Sequence, residues 1–451
     1  MTTSSPWFDA ENPLIIASSG GNGHISAAQS LIQHFLHHQK TLHYHTFPKA
    51  SKKLSHFEYL LLGILQCANT PLFKRLSPKF ELPNSPQLKK AKIQLIKQQS
   101  SNPERHYVDF LLDWLPHGVI YAALFNLLQS QGNGKSLKKV TQGQLFLDII
   151  YKYSISQKIY NRLIEAIQQG RPHDIIISTQ ALGMSGLLHG IQRYHQNRPI
   201  LEERFKMILP ELRLHQFVTD IPEDSALHFL KPLQKLKPSA KKHLCIHLLD
   251  LNKTNVFEEQ HLADEIYVYP PQEHPIIRQE LRHAKKLQTF LGFNYLICQG
   301  QSILIRPKQK LAVLMLSSGQ GPSSIQYIKH LIDKGIEHIA VVGHANQQLR
   351  QSIKKLCPNN RIYLLGHLNG KELAKILSAG HLLIIKGGGL SLMELASLKL
   401  RQNAQIFIHQ ADEKNQGLIW EEGNIEWFLQ YCQQNQKKAC LTHPELITKQ
   451  L

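Results

Sequence analysis

The chain has 451 residues, 42% hydrophobic and 19% charged, a balance that excludes wholesale disorder and allows two or three domains with sizeable cores. Its 52 Lys and Arg against 33 Asp and Glu leave a formal net charge of +19, which points to an anionic partner: nucleic acid, an anionic membrane face or a phosphorylated ligand. The six cysteines (67, 245, 298, 357, 432 and 440) form no CxxC pair or Cys/His metal spacing, so they read as reduced thiols of a cytosolic protein. The 26 histidines also lack a ligand motif and read mostly as surface residues.

The opening MTTSSPWFDAENP has no basic stretch leading into an apolar core, which argues against a secretory signal. A short apolar run at 14–17 suits a buried parallel strand. SSGGNGH follows, and then Ala28, Leu31, Ile32, Phe35 and Leu36 recur at helical spacing. Strand, Gly-rich loop and helix in that order open a βα unit. The runs at 175–178 and 216–219 read as later strands of the same sheet.

Between them, roughly 46–160 lacks the strand–helix alternation. From Lys49 to Phe110 there are eleven Lys or Arg against four Asp or Glu, with apolar clusters such as YLLLGIL at 59–65 between them. Two readings stay open: an interfacial membrane surface, or an inserted helical subdomain with a solvated basic face and an ordinary core. The most apolar long stretch, 108–128, contains Asp109, Asp113 and His117, which are costly in a bilayer core, so it does not read as a transmembrane helix.

Arg306-Pro307-Lys308 follows a strand-like run at 302–305 and precedes a fresh series of alternating elements. Strands are expected at 311–316, 339–342, 362–365, 382–385 and 405–408, with helix-sized gaps between them. Such alternation predicts a parallel sheet with helices on both faces. The expected division is therefore 1–305, carrying the insert, then 306–430, then a tail at 431–451 able to pack on the N-terminal domain. Two doubly wound domains in tandem also imply a ligand site outside the carboxyl ends of their strands.

KGGGLSLMELASL begins where the 382–385 strand ends. Glycines there let backbone amides approach a phosphate, and the following helix N-terminus adds partial positive charge. Glu394 is placed near the first turn, where it either reaches a ribose diol or acts as an N-terminal capping charge. His24 after the first Gly loop is a catalytic base or a capping residue, and Asp220 is a partner of it or a turn former before Pro222.

These motifs together resemble the GT-B glycosyltransferases of the family 28 type, which include monogalactosyldiacylglycerol synthase, diacylglycerol glucosyltransferases and the peptidoglycan lipid N-acetylglucosaminyltransferase. The matching stretches are SGGNGH at 19–24, DIIISTQ, FVTDIPED with Thr219-Asp220, LIRP, SSGQGPSS, LLGHLN and KGGGLSLMELASL, in the family's order. They span most of the chain outside about 46–160. Gly387 replaces the motif's proline, Ala411 stands in place of a donor-sugar glutamine, His367 stands where Phe is common, and Lys399-Leu400-Arg401 replaces a Gly-Leu-Pro turn.

The resemblance implies an α/β protein of GT-B type, with two Rossmann-like doubly wound domains facing across a cleft and a helical insert in the first. It implies transfer of a hexosyl group from a nucleotide sugar, most simply a UDP-hexose, to a lipid such as diacylglycerol, without metal or cofactor. By the same resemblance His24 is the base and Asp220 its helper, with Gly20, Gly21, Asn22 and Gly23 as the N-terminal Gly loop. The donor nucleotide falls to Ser318, Gly319, Gly321, Gly343, Leu368, Gly388, Gly389, Leu390, Ser391 and Glu394, and the donor sugar to Glu413 and Asn415. The expected location is cytoplasmic, peripheral on the inner face of the cytoplasmic membrane, where cationic residues hold anionic lipid. Two alternatives remain: a UDP-sugar 2-epimerase-like enzyme, and a degenerate nucleotide-sugar-binding protein without transferase activity. No nucleic-acid-binding motif or aromatic stacking stripe is evident, so nucleic acid is not an expected partner.

Overall fold

A computed structural model describes residues 6–19, 22–38, 40, 42, 45–46, 85–100, 104–115, 117–130, 134–180, 182–220, 237–249, 263–271, 273–282, 289–290, 293–298, 300–306, 308–316, 322–343, 347–356, 362–366, 368–410 and 419–451. By its contacts the chain divides into two units, 1–127 with 138–276, and 128–137 with 277–451.

The first unit contains β1 (Pro13–Ala17), β2 (His45–Thr46), β3 (Glu104–Arg105), β4 (Val108–Asp109), β5 (Ile175–Ser178), β6 (Leu214–Phe217), β7 (Leu244–Leu249) and β8 (Glu265–Tyr269). Six of these form one parallel sheet in the order β4-β1-β5-β6-β7-β8, while β2 and β3 make a small antiparallel pair. The β1, β5, β6 and β7 side chains are buried on both faces, as expected of a parallel sheet covered on both sides. The longer helices among them are α1 (Asn22–His37), α2 (Ser85–Ser100), α3 (Gly118–Ser130), α4 (Gly134–Gln168) and α5 (Met184–Phe205). No helix among the described residues is long and apolar enough to cross a membrane.

The insert is helical at α2, α3 and α4, but it also supplies β4, which pairs with β1 at Ile16↔Val108 and Ala17↔Asp109. A two-residue strand running straight into a π-helical turn at Phe110–Trp114 merges into the long apolar stretch at 108–128, so sequence patterning shows no separate strand there. The core departs from the histidine expectation as well. His215, His247 and His274 are buried beside Phe217 and Tyr269, and His215 Nδ1 lies 2.9 Å from His247 Nε2. Burial pushes His215 down to about 4, and holds His247 well below the ordinary imidazole value.

The second unit begins with the four-residue α6 (Gln279–Arg282) and an antiparallel set, β9 (Thr289–Phe290), β10 (Phe293–Cys298) and β11 (Gln301–Ile305). Its main sheet is β12 (Leu311–Met315), β13 (His338–Val342), β14 (Ile362–Leu365), β15 (Leu382–Lys386), β16 (Gln405–His409) and β17 (Lys438–Thr442), all parallel. Between and after these run α7 (Pro322–Asp333), α8 (Gln347–Leu356), α9 (Gly370–Ala379), α10 (Gly389–Ser397), α11 (Ile419–Gln434) and α12 (Pro444–Gln450). The strand order β14-β13-β12-β15-β16-β17 is that of a doubly wound dinucleotide-binding sheet, reversing direction between β12 and β15. Residues 431–451, expected as a separate tail, complete this unit. Lys438–Thr442 is its sixth strand and α12 packs on α7, because Ile447 belongs to the core formed by Leu314, Tyr327 and Phe407.

Candidate functional site

In open α/β sheets, ligands bind beyond the carboxyl ends of the strands where the winding reverses. In the first sheet that place is β1, flanked by β4 on one side and β5 on the other. The residues after β1 are Ser18 and Ser19, and α1 opens at Asn22 with Gly23 and His24 in its first turn. Asp109, wholly buried at the end of β4, anchors this connection: its carboxylate accepts from the Ser19 hydroxyl and from the Ser19 amide at 3.3 Å. It also caps the π-helical turn, accepting from the Leu111 and Leu112 amides at 3.1 Å each. Burial pushes the Asp109 carboxyl upward against the Ser19 bond and the Arg105 charge. Asp113, also bonded to Arg105, is pushed up to about 6 by burial.

His24 is pinned to the neighbouring strand ends. Its Nδ1 lies 2.7 Å from the Thr179 carbonyl oxygen, just past β5. That oxygen can only accept, so Nδ1 carries the proton and donates, leaving Nε2 as the basic nitrogen. The Thr179 hydroxyl returns a bond to the His24 carbonyl at 2.8 Å. Thr219 Oγ1 stands 3.3 Å from the same Nδ1 and donates to Asp220 Oδ2 at 3.3 Å. Asp220 thus reaches the imidazole through Thr219. Gly23 has nothing within 4 Å of where a Cβ would sit, so the fold does not require glycine there.

In the second sheet the reversal lies between β12 and β15. The loop after β12, with Ser318, Gly319 and Gly321, falls outside the described residues, as do Gly20, Gly21, Glu413 and Asn415. The loop after β15 is Gly387-Gly388, and it leads into α10 at Gly389. Two groups of α11 hold it: Lys386 Nζ pairs with Glu421 at 3.0 Å, and Asn424 Nδ2 donates to the Gly387 carbonyl at 3.3 Å. A Cβ on Gly387 would press into Ile425, so α11 packing accounts for that glycine. Gly388 differs. Its φ of −69° is ordinary and nothing lies within 4 Å of a Cβ, so neither backbone nor packing demands glycine. The open space beside it is what a close-lying ligand needs. No side chain caps α10 at Gly388.

Leu390 is buried and Ser391 half-buried in the first turn of α10, whereas Glu394 is one turn further along than expected and is not a capping charge. Its buried carboxylate is held by Arg278, with Nε at 2.8 Å from Oε1 and Nη2 at 2.9 Å from Oε2. Arg278 Nη1 also reaches the Leu368 carbonyl at 3.4 Å. Burial opposes the Arg278 charge, but Glu394 more than offsets it and the guanidinium is more basic than usual. Gly343, at φ 103° after β13, donates to the Gly366 carbonyl at 3.1 Å, two residues before Leu368. The structure therefore gathers Leu368 and Glu394 around one arginine.

Sequence reasoning missed Arg278, Asp109, Thr179, Glu421 and Asn424 as site residues. Asp109 and Asp113, each four residues from another charged neighbour, carried a faint signal, since acidic residues inside an apolar run need partners. Arg278 lies in no motif.

No protein-family model matches the chain, and no curated protein does. Among solved structures, it is similar to MurG of Acinetobacter baumannii at 11% identity and a TM-score of 0.41, over 97% of this chain and 89% of that one. Arabidopsis thaliana UGT89C1 complexed with UDP-L-rhamnose gives 11% identity and 0.40, over 96% and 85%. A UDP-N-acetylglucosamine 2-epimerase gives 13% and 0.31, over 66% and 68%. Likenesses this slight carry no argument, and the functional reading rests on the sequence motifs and the two sheet edges.

Proposed function

We propose that the chain is a nucleotide-sugar-dependent glycosyltransferase of GT-B type, moving a hexosyl group, most simply from a UDP-hexose, to a lipid acceptor such as diacylglycerol at a membrane surface. The observation that carries the reading is the second sheet: a Gly-Gly-Gly loop at the point where a doubly wound sheet reverses, with Gly388 open to a ligand and required by nothing in the fold. The diphosphate would lie on the amides at the start of α10, where the helix dipole favours negative charge. The ribose falls to Glu394 and the base edge to the Leu368 backbone, with Ser318, Gly319 and Gly321 assigned to the diphosphate and Glu413 and Asn415 to the sugar.

On the first unit, His24 Nε2 would take the proton of the acceptor hydroxyl. The acceptor oxygen then bonds to the anomeric carbon as the bond from that carbon to the diphosphate breaks, and the electron pair leaves with the nucleotide. The imidazole has its other nitrogen fixed on the Thr179 carbonyl, which is the orientation a general base requires. The basic, apolar insert and the +19 charge support a peripheral location on the inner face of the cytoplasmic membrane.

The test is nucleotide release from UDP- and GDP-sugars, with and without lipid extract. Acceptor-dependent UDP release supports the reading. Free epimerised sugar without acceptor-dependent release favours an epimerase instead, and UDP binding without turnover of any sugar favours a degenerate binding protein. Failure to sediment with anionic vesicles at low salt would remove the membrane assignment.

A further inference from the structure

A carboxylate intended for a ribose diol needs lone pairs facing the ligand, yet Glu394 gives both oxygens to Arg278. The same guanidinium touches the Leu368 carbonyl, so one side chain meets both groups that the proposed function assigns to the nucleoside. A guanidinium carries five N–H donors in a rigid plane. Three are used in these contacts; Glu280 adds its charge, and Arg278 has no further side-chain hydrogen bond among the described residues. Two donors therefore remain on a side chain that keeps 20% of its surface exposed, while Glu394 keeps 5%.

The backbone that carries Arg278 is also fixed. It leads into α6, which lies against α9 and α10, and Glu280 fills the space that a Cβ on Gly370 would need, its Oε2 coming within 2.9 Å of it. With Glu394 removing any tendency to lose its proton, the guanidinium is a permanent cation in a set place.

We propose that Arg278 is a positioning residue of the nucleotide site. It holds the Glu394 carboxylate and the Leu368 carbonyl at a fixed separation and turns its remaining donors toward the ligand. Those donors favour a base with an exocyclic carbonyl oxygen over one with an amino group in the same place. Uracil offers an acceptor oxygen at its 4-position, whereas cytosine puts a second donor there and leaves the arginine unpaired. This inference rests on the nucleotide reading of the second unit.

Calorimetric titration of the full chain with UDP and with CDP tests it. The proteins are the wild type, Arg278→Lys, which keeps the charge but loses the planar fork, and the double variant Arg278→Gln with Glu394→Gln, which removes both partners of the ion pair together. The wild type should bind UDP about tenfold more tightly than CDP, the effect of one charge-assisted hydrogen bond. Arg278→Lys should lose about tenfold in UDP affinity and the double variant more, and both should bind the two nucleotides within about twofold of each other. Thermal midpoints, taken alongside, identify a variant that fails to fold; the other then decides. An unchanged preference overturns the proposal, and so does tighter UDP binding, which would make Arg278 an obstacle to the ligand. A wild type that binds neither nucleotide overturns the functional reading as well. Wild-type binding with a preference indifferent to position 278 removes only the role of Arg278.

Discussion

The two Gly-rich loops sit at equivalent places, each after a strand where its sheet reverses, yet they are built for different work. After β1 the anchoring group is a wholly buried carboxylate, Asp109, and the residue presented is a ring with one nitrogen fixed and the other basic. After β15 the anchors are Lys386 with Glu421 and the Asn424 amide, and what is presented is open backbone at Gly388, followed in α10 by a carboxylate held by an arginine. One loop orients a group that moves a proton. The other arranges amides and donors around a ligand. Similar glycine content therefore says little until the tertiary partners of each loop are known.

The contrast breaks most sharply at His24. His24→Ala should lower transfer by about 100-fold to 10,000-fold, the usual contribution of a general base, while UDP affinity stays near that of the wild type. Undiminished turnover would remove the proton role of the first loop. Next in size is Asp109→Ala, which leaves the Ser19, Leu111 and Leu112 amides without their buried acceptor and removes one of the two carboxylates beside Arg105. It should cost about 3–5 kcal/mol, read as a lower denaturation midpoint of the first unit. An unshifted midpoint would show that the loop does not depend on this anchor.

Acid should weaken the second unit. Above about pH 6.5 the buried imidazoles are neutral in folded and unfolded chains alike. Below it the unfolded chain takes up protons that His215 and His409, both held down to about 4 by burial, refuse. Stability is therefore lost as pH falls from about 6.5 to about 4, by at most about 3 kcal/mol for each group. Asp113, raised to about 6, opposes this, since its folded carboxyl takes up a proton before the unfolded one does. A denaturation midpoint of the second unit that is flat across this interval would contradict the assignment.

Glu394→Ala should weaken UDP binding roughly tenfold or more while sparing the His24 region, and unchanged affinity by calorimetry would separate Glu394 from the nucleotide. The smallest structural effects belong to the glycines. Gly388→Ala and Gly23→Ala should each change stability by less than about 1 kcal/mol, because nothing stands where the methyl would go. Gly388→Ala should nonetheless reduce nucleotide affinity, and full affinity in that variant would mean the open space is not used.

Much of the architecture was legible in the sequence because parallel strands buried on both faces read as apolar runs. The strands at Ile175–Ser178 and Ile362–Leu365 fall where the runs are, and those at β1, β12, β13, β15 and β16 differ only by a residue at an end. The strands that escaped show the limit of that signal. β4 has two residues, β8 is only partly buried at the sheet edge, and β17 begins in a polar stretch, so none alternates or runs apolar for long. β7 escaped because His247 interrupts its pattern, although this histidine is as buried as its neighbours and stacks on Phe217 and Tyr267.

The sequence by itself determined the local pieces: strand, glycine loop and helix in order, twice, with His24 and Glu394 at defined offsets from the glycines. Those are short-range facts, since backbone freedom and helical period act over a few residues. Tertiary structure alone decided which nitrogen of His24 is basic, because the Thr179 carbonyl that fixes it lies 155 residues away. It also decided that Glu394 is held by Arg278, 116 residues away, and not left open at a helix start. Hydrogen bonds and ion pairs depend on distances in space, and no pattern along the chain encodes which strand end will face which.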